Sequence, residues 1–336
     1  MFKTEIEEIF LKNKDFILSK LCAAYYIDRK DLQLVGEFEN YVYQYTTGNK
    51  EYILRLSHSS HRTEELIDAE VHWINFLAQT IKQIPRVHPS QNKTLLEKIT
   101  IDDSYFVASV FDKAKGRHPH TKEDWTNSLY HQWGKLLGKM HSLTKNYQGI
   151  DERRRPHWHE ADLYENASEI LPQNHEVILE KLMEINSALL NLPQSRENYG
   201  LIHNDLHMWN FYVNGDEITP FDFDDSQYGW FVQDIAHILF HVAQFNPLNR
   251  FDPPFMQNFI KQFFTGYKTE NALQLQDIDL IPYFLKRFEL LAYIIIHEDR
   301  AFDNPWCANF LKNRKNRIEN NFPYLDLRVD NYSELY

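Results

Sequence analysis

Residues 200–225, GLIHNDLHMWNFYVNGDEITPFDFDD, constrain this chain more than any other segment. Long helical patterns flank them, yet they read as short β-like runs with a turn at Asn214-Gly215. Within this one island fall His203, Asn204, Asp205, His207, Asn210, Asp222, Asp224 and Asp225. Strand-turn-strand backbone holds these polar side chains, so the chain concentrates its chemistry in a small β-element inside an otherwise helical half.

The element order on either side predicts an α+β fold of two lobes. An amphipathic helix leads, with Ile6, Ile9, Phe10, Phe16, Ile17 and Leu21 on one side. LQLVGEFENYVYQYTT and EYILRLS then read as two antiparallel strands joined at Gly48-Asn49. Apolar residues at 67, 71, 74, 77 and 81 give the period of a helix buried on one face. Two more strand-like runs, TLLEKITI and SYFVASVFD, follow Pro85 and Pro89. Past Asp112 a polar crossing, KAKGRHPHTKED, leads into long helices: SLYHQWGKLLGKMHSL, one or two in 162–192 after the basic-aromatic RRRPHWHE, and everything after Val232. The predicted division is a β-rich N-terminal lobe over 1–112 and a larger, mostly helical C-terminal lobe over 113–336.

Composition excludes several classes. The chain has 336 residues and a formal net charge of -12, which disfavours phosphate-backbone binding to nucleic acid. Its two cysteines, Cys22 and Cys307, make neither a disulfide framework nor a CxxC site and suit a reducing cytoplasm. The longest apolar run, Leu290 to Ile296, is far below the ~18 residues of a membrane span. His203 and His207 stand at i and i+4, but a zinc pair of the H-E-x-x-H kind needs a helix and a glutamate. His118 with His120 and His157 with His159 have no further grouped ligands, read as solvated loops, and are assigned no zinc.

The order Asp205-Leu206-x-x-x-Asn210, with Asp222-Phe223 twelve residues on, has the spacing of the protein-kinase elements H-R-D-L-x-x-x-N and D-F-G. Phosphoryl transfer needs a carboxylate to orient the acceptor hydroxyl and take its proton, and an amide and a second carboxylate to hold Mg²⁺. Asp205, Asn210 and Asp222 fill those roles in order. HNDLHMWN, FDFDD and Asp234-Ile235-Ala236 together make the chain resemble the aminoglycoside phosphotransferase and choline kinase family, whose loop usually reads H-G-D-x-H-x-x-N; Asn204 stands in place of the glycine. The resemblance covers most of the chain. It implies a kinase-like fold with a small β-lobe, a larger helical lobe and ATP between them.

Carried upstream, the resemblance places Gly36 and Asn40 in the loop covering the phosphates. It places Arg55 where kinases carry lysine, with Glu70 as its ion-pair partner. The stress-response and spore-coat kinase-like branch is similar in carrying arginine there. On this reading Arg55→Ala weakens ATP binding with little change in melting temperature. Val110, Phe111 and Asp112 would offer backbone groups to adenine. His203 and Asp234, the latter also reading as a helix N-cap, would brace the catalytic loop. Asp224 and Asp225 could reach metal or a cationic substrate, or sit in water. Together with Tyr228, Trp230, Glu289, Tyr293, Glu298 and Asp299 they form an acid-and-aromatic set suited to an amine. The expectation is a cytoplasmic, ATP- and Mg²⁺-dependent kinase, monomeric or homodimeric, acting on a hydroxyl of a small, amine-bearing molecule. The alternatives are a protein Ser/Thr kinase of the stress-response type and a catalytically silent nucleotide-binding protein.

Overall fold

The computed structural model describes residues 3–149, 155–160, 167–248, 251–327 and 332–336. Arg153 and Arg154 of the basic-aromatic run, and 162–166 of the predicted helical stretch, lie outside the described residues. Two compact units make up the chain. The first comprises Met1–Arg117, Tyr147–Arg155 and Tyr212–Asp224; the second comprises His118–Asn146, Pro156–Phe211 and Asp225–Tyr336.

The first unit opens with α1 (Lys3–Tyr25), which buries Phe10, Ile17, Leu18 and Leu21. Phe16, predicted on that face, is 50% exposed. At 3.6 residues per turn it lies about 120° around the helix from Phe10, whereas Leu18 lies within about 80°. Next come β1 (Gln33–Glu37), β2 (Tyr41–Thr47), β3 (Lys50–His58), α2 (Glu64–Ala78), β4 (Val87–His88), β5 (Glu97–Ile101) and β6 (Ser104–Asp112). The strands form one antiparallel sheet in the order β1-β2-β3-β6-β4, with β5 also on β6. Gly48, at φ 61°, makes the turn between β2 and β3 that its sequence signals. The run predicted as a single strand before it is two, because Phe38, Glu39 and Asn40 interrupt it. Alternate residues Tyr43, Tyr45, Leu54, Leu56, Phe106, Ala108 and Val110 face the core against α1. Helix α2 buries Ile67, Val71, Ile74 and Leu77 as its period requires; Ile81 is buried just beyond the helix end.

The later elements are α3 (Asn127–Thr144), α4 (Ala167–Ile170), α5 (Glu176–Leu190), β7 (Tyr199–Ile202), β8 (Phe211–Asn214), β9 (Glu217–Pro220), β10 (Gln227–Trp230), α6 (Phe231–Phe245), α7 (Pro253–Tyr267), α8 (Leu275–Ile278), α9 (Ile281–Glu298), α10 (Pro305–Leu311) and α11 (Arg314–Glu319). The β8–β9 hairpin shows why a single cut after Asp112 does not describe the units. Val213 bridges to Arg117, and Phe223 meets Trp73 of α2 edge-on with centroids 5.6 Å apart.

In the second unit α3 lies tightly on α7. A Cβ at Gly134 would collide with the Phe263 carbonyl, and one at Gly266 with the His131 carbonyl, so small residues set this approach. Helix α6 buries residues all round, among them Phe231, Ile235, Ile238 and Leu239, as a helix at the centre of a core does. Strand β7 pairs with β10, Leu201 opposite Tyr228 and Tyr199 opposite Trp230. No described helix is long and apolar enough to cross a membrane.

Candidate active site

Strand β7 delivers the chain into the loop 203–210 of the second unit, and α6 holds that loop from behind. Asp234 is not an N-cap: Trp230 takes that position, and Asp234 sits fully buried within the first turn. Its carboxylate accepts the backbone N–H of His203 on Oδ2 and that of Asn204 on Oδ1, both at 2.9 Å. His141 of α3 reaches Oδ2 through Nε2 at 3.2 Å, while its Nδ1 meets the Tyr267 hydroxyl at 2.8 Å. Burial pushes the Asp234 carboxyl up, but the hydrogen bonds from His141 and His203 outweigh it and hold the group below the ordinary carboxylate range. Asn204 adopts the left-handed φ of 65°, and its Oδ1 accepts from Gln227 Nε2 and Gln233 Nε2 at 3.0 Å each. Buried His203 accepts the Asp205 N–H on Nδ1 at 3.3 Å.

Asp205 and Asn210 clasp each other across the loop. Asn210 Nδ2 donates to Asp205 Oδ2 at 2.6 Å and to its carbonyl at 2.9 Å. The opposite oxygen, Oδ1, is faced by His207 Nε2 at 3.5 Å and His237 Nε2 at 3.6 Å. The His241 ring stands 4.5 Å from that of His237 and 4.6 Å from that of His207. Burial pushes His207 down to about 4 and His237 to about 3, and His241 well below its ordinary value, so all three imidazoles are neutral at pH 7. His237 and His241 escaped sequence reading, although their i, i+4 spacing just after the Asp234-Ile235-Ala236 motif was visible.

In the first unit, Arg55 of β3 and Glu70 of α2 form a bidentate pair, Nη1 to Oε1 at 2.8 Å and Nη2 to Oε2 at 2.6 Å, with both residues buried. Burial pulls the guanidinium down, but Glu70 outweighs it and the group stays above its ordinary value. Asn40 Oδ1 accepts the Ser57 hydroxyl at 2.5 Å, which ties the segment after Gly36 to β3. Asp222 is exposed, at φ 63°.

Asp224 differs from its neighbours. It is 3% exposed, and its Oδ2 meets His61 Nε2 at 2.6 Å and Arg62 Nε at 3.3 Å, while its carbonyl accepts from buried Arg155 at 2.6 Å. Burial pushes its carboxyl up, yet His61, Arg55 and Arg62 hold it well below the usual range. Its cations are therefore internal, which corrects the expectation of a substrate or metal ligand. Val110 and Asp112 lie within β6 and both pair with β3, and Val110 pairs also with His88 of β4. The Asp112 N–H already donates to the Arg86 carbonyl at 3.0 Å, and its carboxylate meets His88 at 2.8 Å. The Asp112 N–H is therefore already taken within the sheet and is not a donor left for adenine.

The predicted acceptor set also divides. Trp230 is fully buried edge-on to Tyr199, and Glu289 is fully buried between Lys286 and Arg314, both at 2.6 Å. Both are core residues. Buried Tyr293 stacks on His297. Asp225, Glu298 and Asp299 are exposed, and Tyr228 is half-buried against His157 with ring centroids 5.1 Å apart. His157 is thus packed rather than solvated, and it also bonds the Tyr199 hydroxyl at 2.7 Å; His118 is half-buried and meets the Phe211 carbonyl at 3.2 Å.

Because the Asn210 amide donates Nδ2 to Asp205, its oxygen is left as the kind of donor a hard divalent cation takes. The Asp222 carboxylate is of the same kind. The profile of the phosphotransferase enzyme family matches residues 31–275. Amicoumacin kinase of Bacillus subtilis (strain 168) is 31% identical over 298 residues, covering 88% of this chain and 87% of its own. Among solved structures, amicoumacin kinase hAmiN in complex with AMP-PNP, Ca²⁺ and Ami superposes with a TM-score of 0.90 at 30% identity over 99% of both chains. A microcompartment-associated aminopropanol kinase reaches 0.70 at 18% identity, over 91% of this chain and 98% of its own, and supports the kinase-like α+β fold alone. A match over most of the sequence, backed by a relative of similar length and near-identical fold, means that this chain belongs to the phosphotransferase enzyme family.

Proposed function

We propose that the protein is an ATP- and Mg²⁺-dependent kinase that phosphorylates a hydroxyl of a small molecule, with an amicoumacin-like, amine-bearing acceptor as the first candidate. The observation that carries this reading is the Asp205–Asn210 clasp on a loop anchored to buried Asp234, in a chain similar throughout to amicoumacin kinase. Asp205 orients the acceptor hydroxyl and takes its proton as the oxygen bonds to the γ-phosphorus and ADP departs. Asn210 holds the carboxylate in place with Nδ2. Asn210 and Asp222 would hold Mg²⁺, which when bound neutralises charge on the β- and γ-phosphates. Arg55, positioned by Glu70, is assigned to the nucleotide phosphates, with Gly36 and Asn40 in the covering loop. Asp225, Tyr228 and Glu298 remain candidates for the acceptor side.

The same reading places the enzyme in the cytoplasm, beside its ATP, as a monomer or homodimer acting on a small molecule and not on nucleic acid. Neither a protein kinase nor a silent nucleotide binder is favoured, since the related kinases are named for small molecules. ADP release would be measured with amicoumacin, aminopropanol, choline, an aminoglycoside panel and a generic Ser/Thr protein substrate at matched concentration. Stoichiometric ADP with an amine-bearing acceptor supports the reading; turnover of the protein substrate alone overturns it.

A further inference from the structure

Asp205, His237 and His241 each bring one ligand atom to a common point, all within 4.8 Å of one another. The two histidines sit four residues apart on one face of α6, the spacing by which a helix presents two imidazoles to a single ion. His207 Nε2 stands 3.5 Å from Asp205 Oδ1, but its Nδ1 accepts the Trp209 N–H, so the neutral ring holds its proton on Nε2 and lends no lone pair there. Two nitrogen donors and one carboxylate oxygen are a donor set for a borderline ion of the Zn²⁺ class, and a poor one for Mg²⁺, which prefers oxygen.

A second observation points the same way. The Nδ1 atoms of His237 and His241 are buried, and neither finds a hydrogen-bond partner among the described residues. Such orphaned polar atoms call for an explanation. With no partner holding either Nδ1, neither tautomer is fixed, so each ring can present a lone pair to the shared point.

We propose that Asp205, His237 and His241, with water as fourth donor, form an inhibitory binding site for a Zn²⁺-class ion, separate from the residues assigned to magnesium, Asn210 and Asp222. A bound ion occupies the Asp205 oxygen facing the histidines, so the carboxylate can no longer accept the acceptor's proton. That inhibitory consequence rests on the role assigned to Asp205 above; the site itself does not.

Co²⁺ titrated into the whole chain in Mg²⁺ buffer reads the site spectroscopically. The expected result is the intense visible absorption of a four-coordinate ion, displaced by stoichiometric Zn²⁺ and unchanged in Asp222→Ala. His237→Gln and His241→Gln are each expected to weaken binding by more than about 100-fold, since loss of a direct ligand exceeds the usual loss of an outer partner. No saturable band, a band that survives in both histidine variants, or thiolate-to-cobalt charge transfer from Cys22 or Cys307 overturns the site. A zinc-edge anomalous peak in wild-type crystals locates the ion without any variant, and a peak away from these three residues overturns it equally. Zinc bound here is expected to suppress turnover competitively with the acceptor and not with ATP. A peak at this position with unaltered turnover overturns the inhibitory consequence, and with it the role of Asp205 as base, while the site stands.

Discussion

The backbone N–H of Asn204 donates to Asp234 Oδ1 at 2.9 Å, and it does so from a left-handed φ of 65°. The H-G-D-x-H-x-x-N pattern that this loop resembles has glycine here, and few L-residues accept that conformation. Asparagine is one that does. Here its side chain is also used, accepting from Gln227 and Gln233 at 3.0 Å, so the substitution replaces conformational freedom with two cross-links to β10 and α6.

Asn204 variants separate these two contributions. Asn204→Ala keeps a Cβ at positive φ and strands two glutamine donors, and is expected to destabilise by about 1–3 kcal/mol. Asn204→Gly strands the same two donors without the Cβ strain and should cost less than Asn204→Ala. Denaturant midpoints at constant m-value measure both; equal losses would show that φ plays no part.

Asp205→Asn retains shape and a hydrogen-bonding side chain but cannot take a proton. Turnover should fall by about 10²–10⁴-fold with the melting temperature close to wild type. Steady-state kinetics beside a thermal melt checks this, and near-normal kcat would remove Asp205 from the chemistry.

Much of this molecule was legible because its signals are local. Gly48-Asn49 marks the β2–β3 turn, residues 67, 71, 74 and 77 mark the buried face of α2, and the 205–210 spacing marks two side chains that meet across one loop. What escaped depends on partners distant in sequence. Asp224 looks like an exposed acid in FDFDD, until His61, 163 residues away, closes on it. Trp230 looks like a binding aromatic until β7 pairs across it. Val110 looks like part of a connection because β4, the two-residue strand paired to it, is too short to leave a periodic pattern.

Arg55 is another such case. The expectation that Arg55→Ala would spare stability does not survive the burial of both partners. Removing the guanidinium leaves Glu70 charged in the core, with a loss of about 3–5 kcal/mol. Replacing both residues with methionine should recover most of that loss while nucleotide binding stays weak. Thermal melts with and without ATP test it; a stable single variant would mean that Glu70 finds water or another partner.

The His141–Asp234 contact makes stability depend on pH with a definite sign. Burial pushes His141 below its ordinary value, so as pH falls below about 6.5 the unfolded chain takes up this proton before the folded one does. Folded stability therefore decreases from there downward. Asp234 is also depressed, so its contribution is present above about 4 and is lost only as pH falls further. His141→Gln should flatten the stability profile between about pH 6.5 and 4 relative to wild type. His207, His237 and His241 remain in both proteins and cancel in the difference. Identical slopes would show that His141 does not titrate on unfolding.

Asp222 and Asp224 stand two residues apart, yet opposite outcomes are expected for them. Asp222 is exposed at φ 63°, so Asp222→Asn is the fitting probe: asparagine tolerates that φ and removes only the charge. The free protein should melt as wild type does, while the Mg²⁺-dependent stabilisation by ATP disappears. Asp224→Asn, by contrast, strips the carboxylate from between His61 and Arg62. It should lower the stability of the free protein by about 1–3 kcal/mol and leave a Mg²⁺-dependent ATP shift in whatever fraction folds. A thermal-shift matrix of the two variants with and without ATP, Mg²⁺ and chelator reads both at once. If Asp224→Asn lost the metal response and Asp222→Asn kept it, the magnesium ligand would be the buried acid, and its bonds to His61 and Arg62 would have to open when nucleotide binds.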